Sequence, residues 1–340
     1  MTYSERLQNA LQNEHNKIFS EETGSLKAEY SEKVETCQVC DLDETSVYCI
    51  KDGFVHLKCK NCGFIYISPR MNVEATHNFY NSEVNEIYNE TKFHGDSESV
   101  SLDDLLNIKN YEIVRHHYPL PQGKKLLEIG PGRGVFLKNA KKEGFEVHAI
   151  ELNSKLITQL ESFCEKVYSE DILNLDLDED YFDVIYFRDV MEHIPDVVPF
   201  LMKVKSVLKP GGLLLIDTHN IDSLINRLTK EYHTVIFGFE HPVHWSAKTL
   251  KLVCEKNGFT HLNTFYSDID LSLHNFINYR TNLSFTYIFP PKKSKLTNFV
   301  SKVVLFILSL PLVRHLDRWL SNLVSSTFNC GAKMQVTFTK

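Results

Sequence analysis

Two cysteine pairs, Cys37-x-x-Cys40 and Cys59-x-x-Cys62, stand eighteen residues apart and can bring four thiolates to one point. Each pair suits a tight turn, and four sulfur donors complete the tetrahedral shell that zinc prefers. Such a shell leaves no position open for water, so the chemistry implied is structural rather than catalytic. Gly63, directly after the second pair, supplies the backbone freedom that the turn needs. Cys49, between the pairs, reads as a packed small residue, and Cys164, Cys254 and Cys330 are scattered.

A second group runs Leu126-Leu127-Glu128-Ile129-Gly130-Pro131-Gly132-Arg133-Gly134, an apolar strand entering a glycine turn. Glycines there let the backbone approach a ligand closely, at the crevice where doubly wound sheets bind nucleotides. The dinucleotide fingerprint wants G-x-G-x-x-G. Here Val135 follows Gly134, so the spacing is G-x-G-x-G, and Glu128 stands two residues before the first glycine.

This E-x-G-x-G-x-G arrangement resembles the cofactor turn of class I S-adenosylmethionine-dependent methyltransferases, and the resemblance continues from about residue 122 to 259. It implies S-adenosylmethionine as cofactor, with Glu128, Gly130, Gly132 and Gly134 around it. It also implies that Glu151, ending the second strand, accepts both ribose hydroxyls, a task that suits a carboxylate's two oxygens. Asp171 falls at the position that meets the adenine amino group, with Glu170 and Asp176 as nearby alternatives. Phe187-Arg188-Asp189-Val190-Met191-Glu192-His193 resembles the family's fourth motif, in which the surroundings of Arg188 line the cofactor, and Leu208-Lys209-Pro210-Gly211-Gly212 the turn before the fifth strand.

Methyl transfer from a sulfonium needs chiefly alignment of nucleophile, methyl and sulfur. A hydroxyl acceptor also needs a base, for which histidine is the usual choice. Glu240-His241 lies just before a helix expected from Ala247, and a similar element occurs in zinc-ribbon sugar methyltransferases. The resemblance implies His241 as base and Glu240 as its orienting partner. The competing reading is a His241 satisfied by backbone, with His244 and His219 in reserve. Asp189-x-x-Glu192-His193 resembles the metal-assisted element of ubiquinone-biosynthesis O-methyltransferases, against a plain packing role. Ribbon, core and Glu-His element together imply methylation of a sugar, sugar nucleotide or glycan precursor. Sugar C-methyltransferases usually carry a further C-terminal domain that is not in these 340 residues, which favours oxygen over carbon. The rival readings are a zinc-finger rRNA methyltransferase and a non-catalytic assembly protein that keeps the cofactor fold.

The elements expected to position these groups form an α/β chain. Residues 1–36 read as a polar surface helix, 37–81 as the zinc ribbon, 82–121 as a polar linker and a helix, and 122–340 as a doubly wound, Rossmann-like methyltransferase domain. Buried strands are expected at 126–129, 147–150, 184–187 and 213–216, a helix from Ala247 to Asn257 stopped by Gly258, and later strands at 261–266 and 335–339. A helical insertion is expected at 268–330. Its apolar run near 299–318 reads as a core helix, a cleft cap, a dimer contact or a peripheral membrane contact, being too short to span a bilayer. A net charge of −7 argues against nucleic acid as partner and for a small-molecule or glycan acceptor. A first segment without an apolar core and cysteines paired as for metal suggest the cytoplasm.

Overall fold

A computed structural model describes residues 3–93, 102–267 and 331–340, with positions 288, 307, 310, 313 and 316 besides. The insertion expected at 268–330, and the membrane contact expected within it, therefore lie almost wholly outside the described residues. The chain forms two compact units, each assembled from three stretches. The first is Met1–Ser97, Asn220–Ser246 and Tyr266–Ala332, and the second is Glu98–His219, Ala247–Phe265 and Lys333–Lys340.

The second unit is a seven-stranded sheet. Its strands are β1 Lys125–Ile129, β2 Glu146–Ile150, β3 Lys166–Tyr168, β4 Phe182–Arg188, β5 Leu208–His219, β6 Thr260–Ser267 and β7 Lys333–Thr339. They lie in the order β6-β7-β5-β4-β1-β2-β3. β4 is buried at every position but its last, as a central strand covered on both faces must be. Pairing is parallel from β5 through β4, β1 and β2 to β3, while β7 runs antiparallel to β5, so the sheet is mixed. The order reverses between β1 and β4, which opens the ligand crevice of an open α/β sheet at their carboxyl ends.

Helices cover this sheet through apolar stripes. Phe136, Leu137 and Ala140 are buried on Val135–Glu143, and Val197, Phe200, Leu201, Val204 and Val207 on Val197–Val207. The helix Ala247–Lys256 ends before Gly258, whose φ of 81° makes the left-handed stop. The turn expected before the fifth strand lies inside β5 instead: the register against β4 shifts between Leu208 and Leu213, so Lys209–Gly212 forms an irregularity in a longer strand.

The first unit holds a four-stranded sheet of Thr45–Lys51, Phe54–Cys59, Ile65–Ile67 and the distant Val243–His244. Asp52 and Gly53, both at positive φ, make the two-residue turn of its hairpin. Val243 and His244 pair antiparallel with Tyr66 and Ile65, which explains why Asn220–Ser246 folds with the N-terminal residues and not, as the sequence boundaries have it, with the methyltransferase sheet. Two further expectations change. Helix Tyr3–Ile18 is more than a surface helix, since Ala10, Leu11 and Ile18 join a core with Phe19, Phe54, Phe79 and Phe239. The stretch expected as linker is helical over Glu83–Phe93, because Val84 and Ile87, one turn apart and fully buried, seat it on that core.

Candidate active site

The glycine turn leaves β1 and feeds the helix Val135–Glu143, with Gly130, Gly132 and Gly134 at φ of 69°, 54° and 70°. What a side chain would meet at each separates their roles. At Gly134 an added Cβ would fall 2.7 Å from both Leu160 Cδ2 and Phe163 Cζ, so this glycine serves packing. At Gly130 it would fall 3.0 Å from Val190 Cγ2. At Gly132 it would meet nothing within 4 Å, and the open space there is where a ligand can lie against backbone.

Glu151 follows β2 and is 9% exposed. The Gly132 N–H donates to its Oε2 at 3.2 Å and the Asn153 N–H to its Oε1 at 2.8 Å. The carboxylate expected to hold a ribose is thus already oriented by the turn it serves. Glu128, in β1, is 3% exposed, and its Oε2 makes no hydrogen bond. Burial pushes its carboxyl up to about 8, against the pull of Arg188. Asp171 caps the short turn Ile172–Asn174 by accepting from the Leu173 N–H at 2.8 Å. Arg188, ending β4, has its side chain 9% exposed, with Nε 3.5 Å from Asp189 Oδ2 and 3.6 Å from Asp217 Oδ2. Its guanidinium is drawn toward these carboxylates.

Sequence reasoning missed the polar network that receives Arg188. Asn110, from the helix Leu102–His117, donates to Asp217 Oδ2 at 2.5 Å and to the Tyr186 hydroxyl at 2.9 Å. Thr218 donates to Glu192 Oε2 at 2.8 Å, and Lys333 to Asp189 Oδ1. Burial pushes the Glu192 carboxyl up to about 8, with Asp189 adding to it. Asp189 goes the other way: desolvation opposes ionisation, but Lys333, His219 and Arg188 hold it well below the usual carboxylate range. Asp189, Glu192 and His219 bring donor atoms within 4.8 Å of one another, so a residue from the end of β5 joins two of the motif's side chains. A signal for this existed in the sequence, where the apolar run of β5 ends abruptly in Asp217-Thr218-His219.

In the first unit the four expected cysteines converge. Cys37 and Cys62 sulfurs are 3.5 Å apart, as are those of Cys40 and Cys59, and all four lie within 4.8 Å of one another. A tetrahedron with zinc–sulfur bonds of ~2.3 Å has edges of about 3.8 Å, so the set can hold that ion. The two turns repeat one design. The Asp41 N–H donates to the Cys37 carbonyl and the Gly63 N–H to the Cys59 carbonyl, with Asp41 and Gly63 at φ of 62° and 88°. The Trp245 ring lies 4.6 Å from that of Phe64, tilted by 38°, directly after the second turn.

His241 also lies in the first unit, with Nδ1 2.8 Å from the Val235 carbonyl. That carbonyl is the hydrogen-bond partner at Nδ1. It fixes the proton there and leaves Nε2 as the ring's basic atom. The reserve His244 is 2% exposed, its Nε2 3.0 Å from Nδ1 of the wholly buried His56. Burial drives the His56 pKa down to about 3, so the His56 ring is neutral.

Residues 111–264 match a family model described as a methyltransferase domain. By that match the stretch is similar to methyltransferase domains. It takes in β1 to β5 and the glycine turn. Among curated relatives, a ubiquinone biosynthesis O-methyltransferase of Bradyrhizobium sp. (strain ORS 278) is 30% identical over 128 residues, covering 36% of this chain and 48% of the relative. A phosphoethanolamine N-methyltransferase 2 of Caenorhabditis elegans is 31% identical over 119 residues, covering 33% of this chain and 27% of the relative. The chain thus spans about half or less of these relatives. A solved SAM-dependent methyltransferase from Archaeoglobus fulgidus aligns over 69% of this chain and 94% of its own, at 19% identity and a TM-score of 0.44. The methyltransferase domain as matched includes Glu240 and His241 in sequence, although the chain folds both into the first unit.

Proposed function

We propose that this chain moves the methyl group of S-adenosylmethionine to a hydroxyl of a sugar, sugar nucleotide or glycan precursor, with zinc as a structural metal in the four-cysteine cluster. The observation that carries the cofactor reading is the open face of Gly132, whose N–H is held by the Glu151 carboxylate. In the reaction the acceptor oxygen displaces the sulfur from the methyl carbon: an O–C bond forms, the C–S pair goes to sulfur, and S-adenosylhomocysteine leaves. The hydroxyl proton passes to His241 Nε2, with Nδ1–H kept on the Val235 carbonyl. Zinc has no step in this scheme. The sugar class rests on the joint occurrence of cysteine ribbon, class I core and Glu240-His241.

Incubation with methyl-labelled cofactor and a panel of sugar nucleotides tests it. Label should enter one acceptor, and His241→Ala should cut turnover by roughly two to four decades while S-adenosylhomocysteine still binds. No transfer to any sugar, with transfer to a phenolic or amine acceptor, would reject the substrate class. Near-normal turnover of His241→Ala would reject the base.

A further inference from the structure

Lys333 opens β7 directly across from His219 in the β5–β7 register, and its ammonium is hydrogen-bonded to Asp189 Oδ1. His219 Nε2 stands 3.8 Å from that same oxygen and 3.6 Å from Glu192 Oε1. Glu192 is 2% exposed and its Oε1 accepts no hydrogen bond, so a buried acceptor faces the cluster. Taken alone, two carboxylates and an imidazole this close suit a divalent cation. With Lys333 present they do not. An ion bound to Asp189 Oδ1 would stand within about 5 Å of the ammonium on the same oxygen, where repulsion between the two cations is strong.

The lysine also fixes backbone. Asp189 has a φ of 53°, in the left-handed region that a non-glycine residue keeps only when its surroundings hold it. Its N–H donates to the Asp217 carbonyl at 2.9 Å, and its side chain is tied to Lys333. The next residue, Val190, stands against the glycine turn at Gly130.

We propose that Lys333 is a built-in cation: its ammonium takes, among Asp189, Glu192 and His219, the place a divalent ion would fill, and so positions the 189–193 turn beside the glycine loop without a metal. This role is independent of which acceptor the enzyme methylates. It makes Lys333 a positioning residue and gives the cluster no resident ion.

Mn2+ binding, followed by electron paramagnetic resonance on the full chain, tests the idea, because that hard ion prefers oxygen donors and leaves the four cysteines alone. Wild type should leave Mn2+ free. Lys333→Ala should bind one Mn2+ per chain, at least tenfold more tightly than wild type, and the added change Asp189→Asn should abolish it. If Lys333→Ala does not fold unaided, Mn2+ should restore its folding, since an ion that binds only the native state stabilises it. Mn2+ held by wild type and released by Asp189→Asn would overturn the proposal. So would a Lys333→Ala chain that neither takes up Mn2+ nor is restored by it.

Discussion

Gly132 and Gly134 share a left-handed backbone for different reasons, and substitution should separate them. Both alanine variants bear the cost of a side chain at positive φ, about 1 kcal/mol. Gly134→Ala must also displace Leu160 and Phe163, so it should lower the thermal midpoint markedly more than Gly132→Ala. Gly132→Ala should instead weaken S-adenosylhomocysteine binding, read by calorimetry; equal effects on stability would deny the open face its role. Glu151→Ala should weaken the same ligand by roughly 1.5–3 kcal/mol, one to two decades, since a charged acceptor is lost. An unchanged affinity in a folded variant would place the ribose elsewhere. Glu128 supplies a pH test. Its carboxyl is raised to about 8 from an ordinary 4.5, so the folded chain keeps a proton that the unfolded chain releases. The stability this gives is complete below about 4.5 and is lost as pH rises through 8. Against Glu128→Gln, wild type should therefore lose about 1.4 kcal/mol for each pH unit crossed in that window and level off above it. Urea unfolding of both proteins from pH 5 to 9 measures the divergence, and parallel curves would contradict it.

Among the elements, the cysteine turns yield the plainest expectation. Metal analysis after purification without added metal should return about one zinc per chain. Cys59→Ser should lower that content and shift Trp245 emission, because Trp245 rests on Phe64 beside the second turn; a folded, metal-free wild type would refute the site. These turns were legible because their spacing alone specifies them, and β1, β2, β4 and β5 because buried parallel strands read as apolar runs. The helix Glu83–Phe93 was not legible, since among the described residues only Val84, Ile87 and Tyr88, in a polar stretch, pack it on the core. Nor was the pairing of Val243–His244 with Tyr66 and Ile65, a contact between residues far apart in sequence that no local pattern encodes. The network at the ends of β4, β5 and β7 was half legible: Arg188, Asp189 and Glu192 lie in a motif, whereas Asn110 and Lys333 arrive from elements with no chemical signature of their own.

For the whole molecule, a charge of −7 sets the response to nucleic acid. At 150 mM salt the chain should show no binding to structured RNA tighter than about 10 µM, in a filter or anisotropy assay. Tight, salt-sensitive binding would favour the rRNA reading over the sugar one. Among the described residues no helix is long and apolar enough to cross a membrane. The path of the chain has a further consequence, which concerns time. Ile65–Ile67 emerges early in synthesis, but its neighbour Val243–His244 follows about 180 residues later. At typical translation rates that is a wait of roughly ten to forty seconds. Through this interval the nascent segment carries all four thiols, and the edge of Ile65–Ile67 that Val243–His244 later covers stays open, so metal capture can precede closure of the sheet. A ribosome that stalls before Val243 leaves that edge bare, and its product is the form of this protein most apt to pair with another chain.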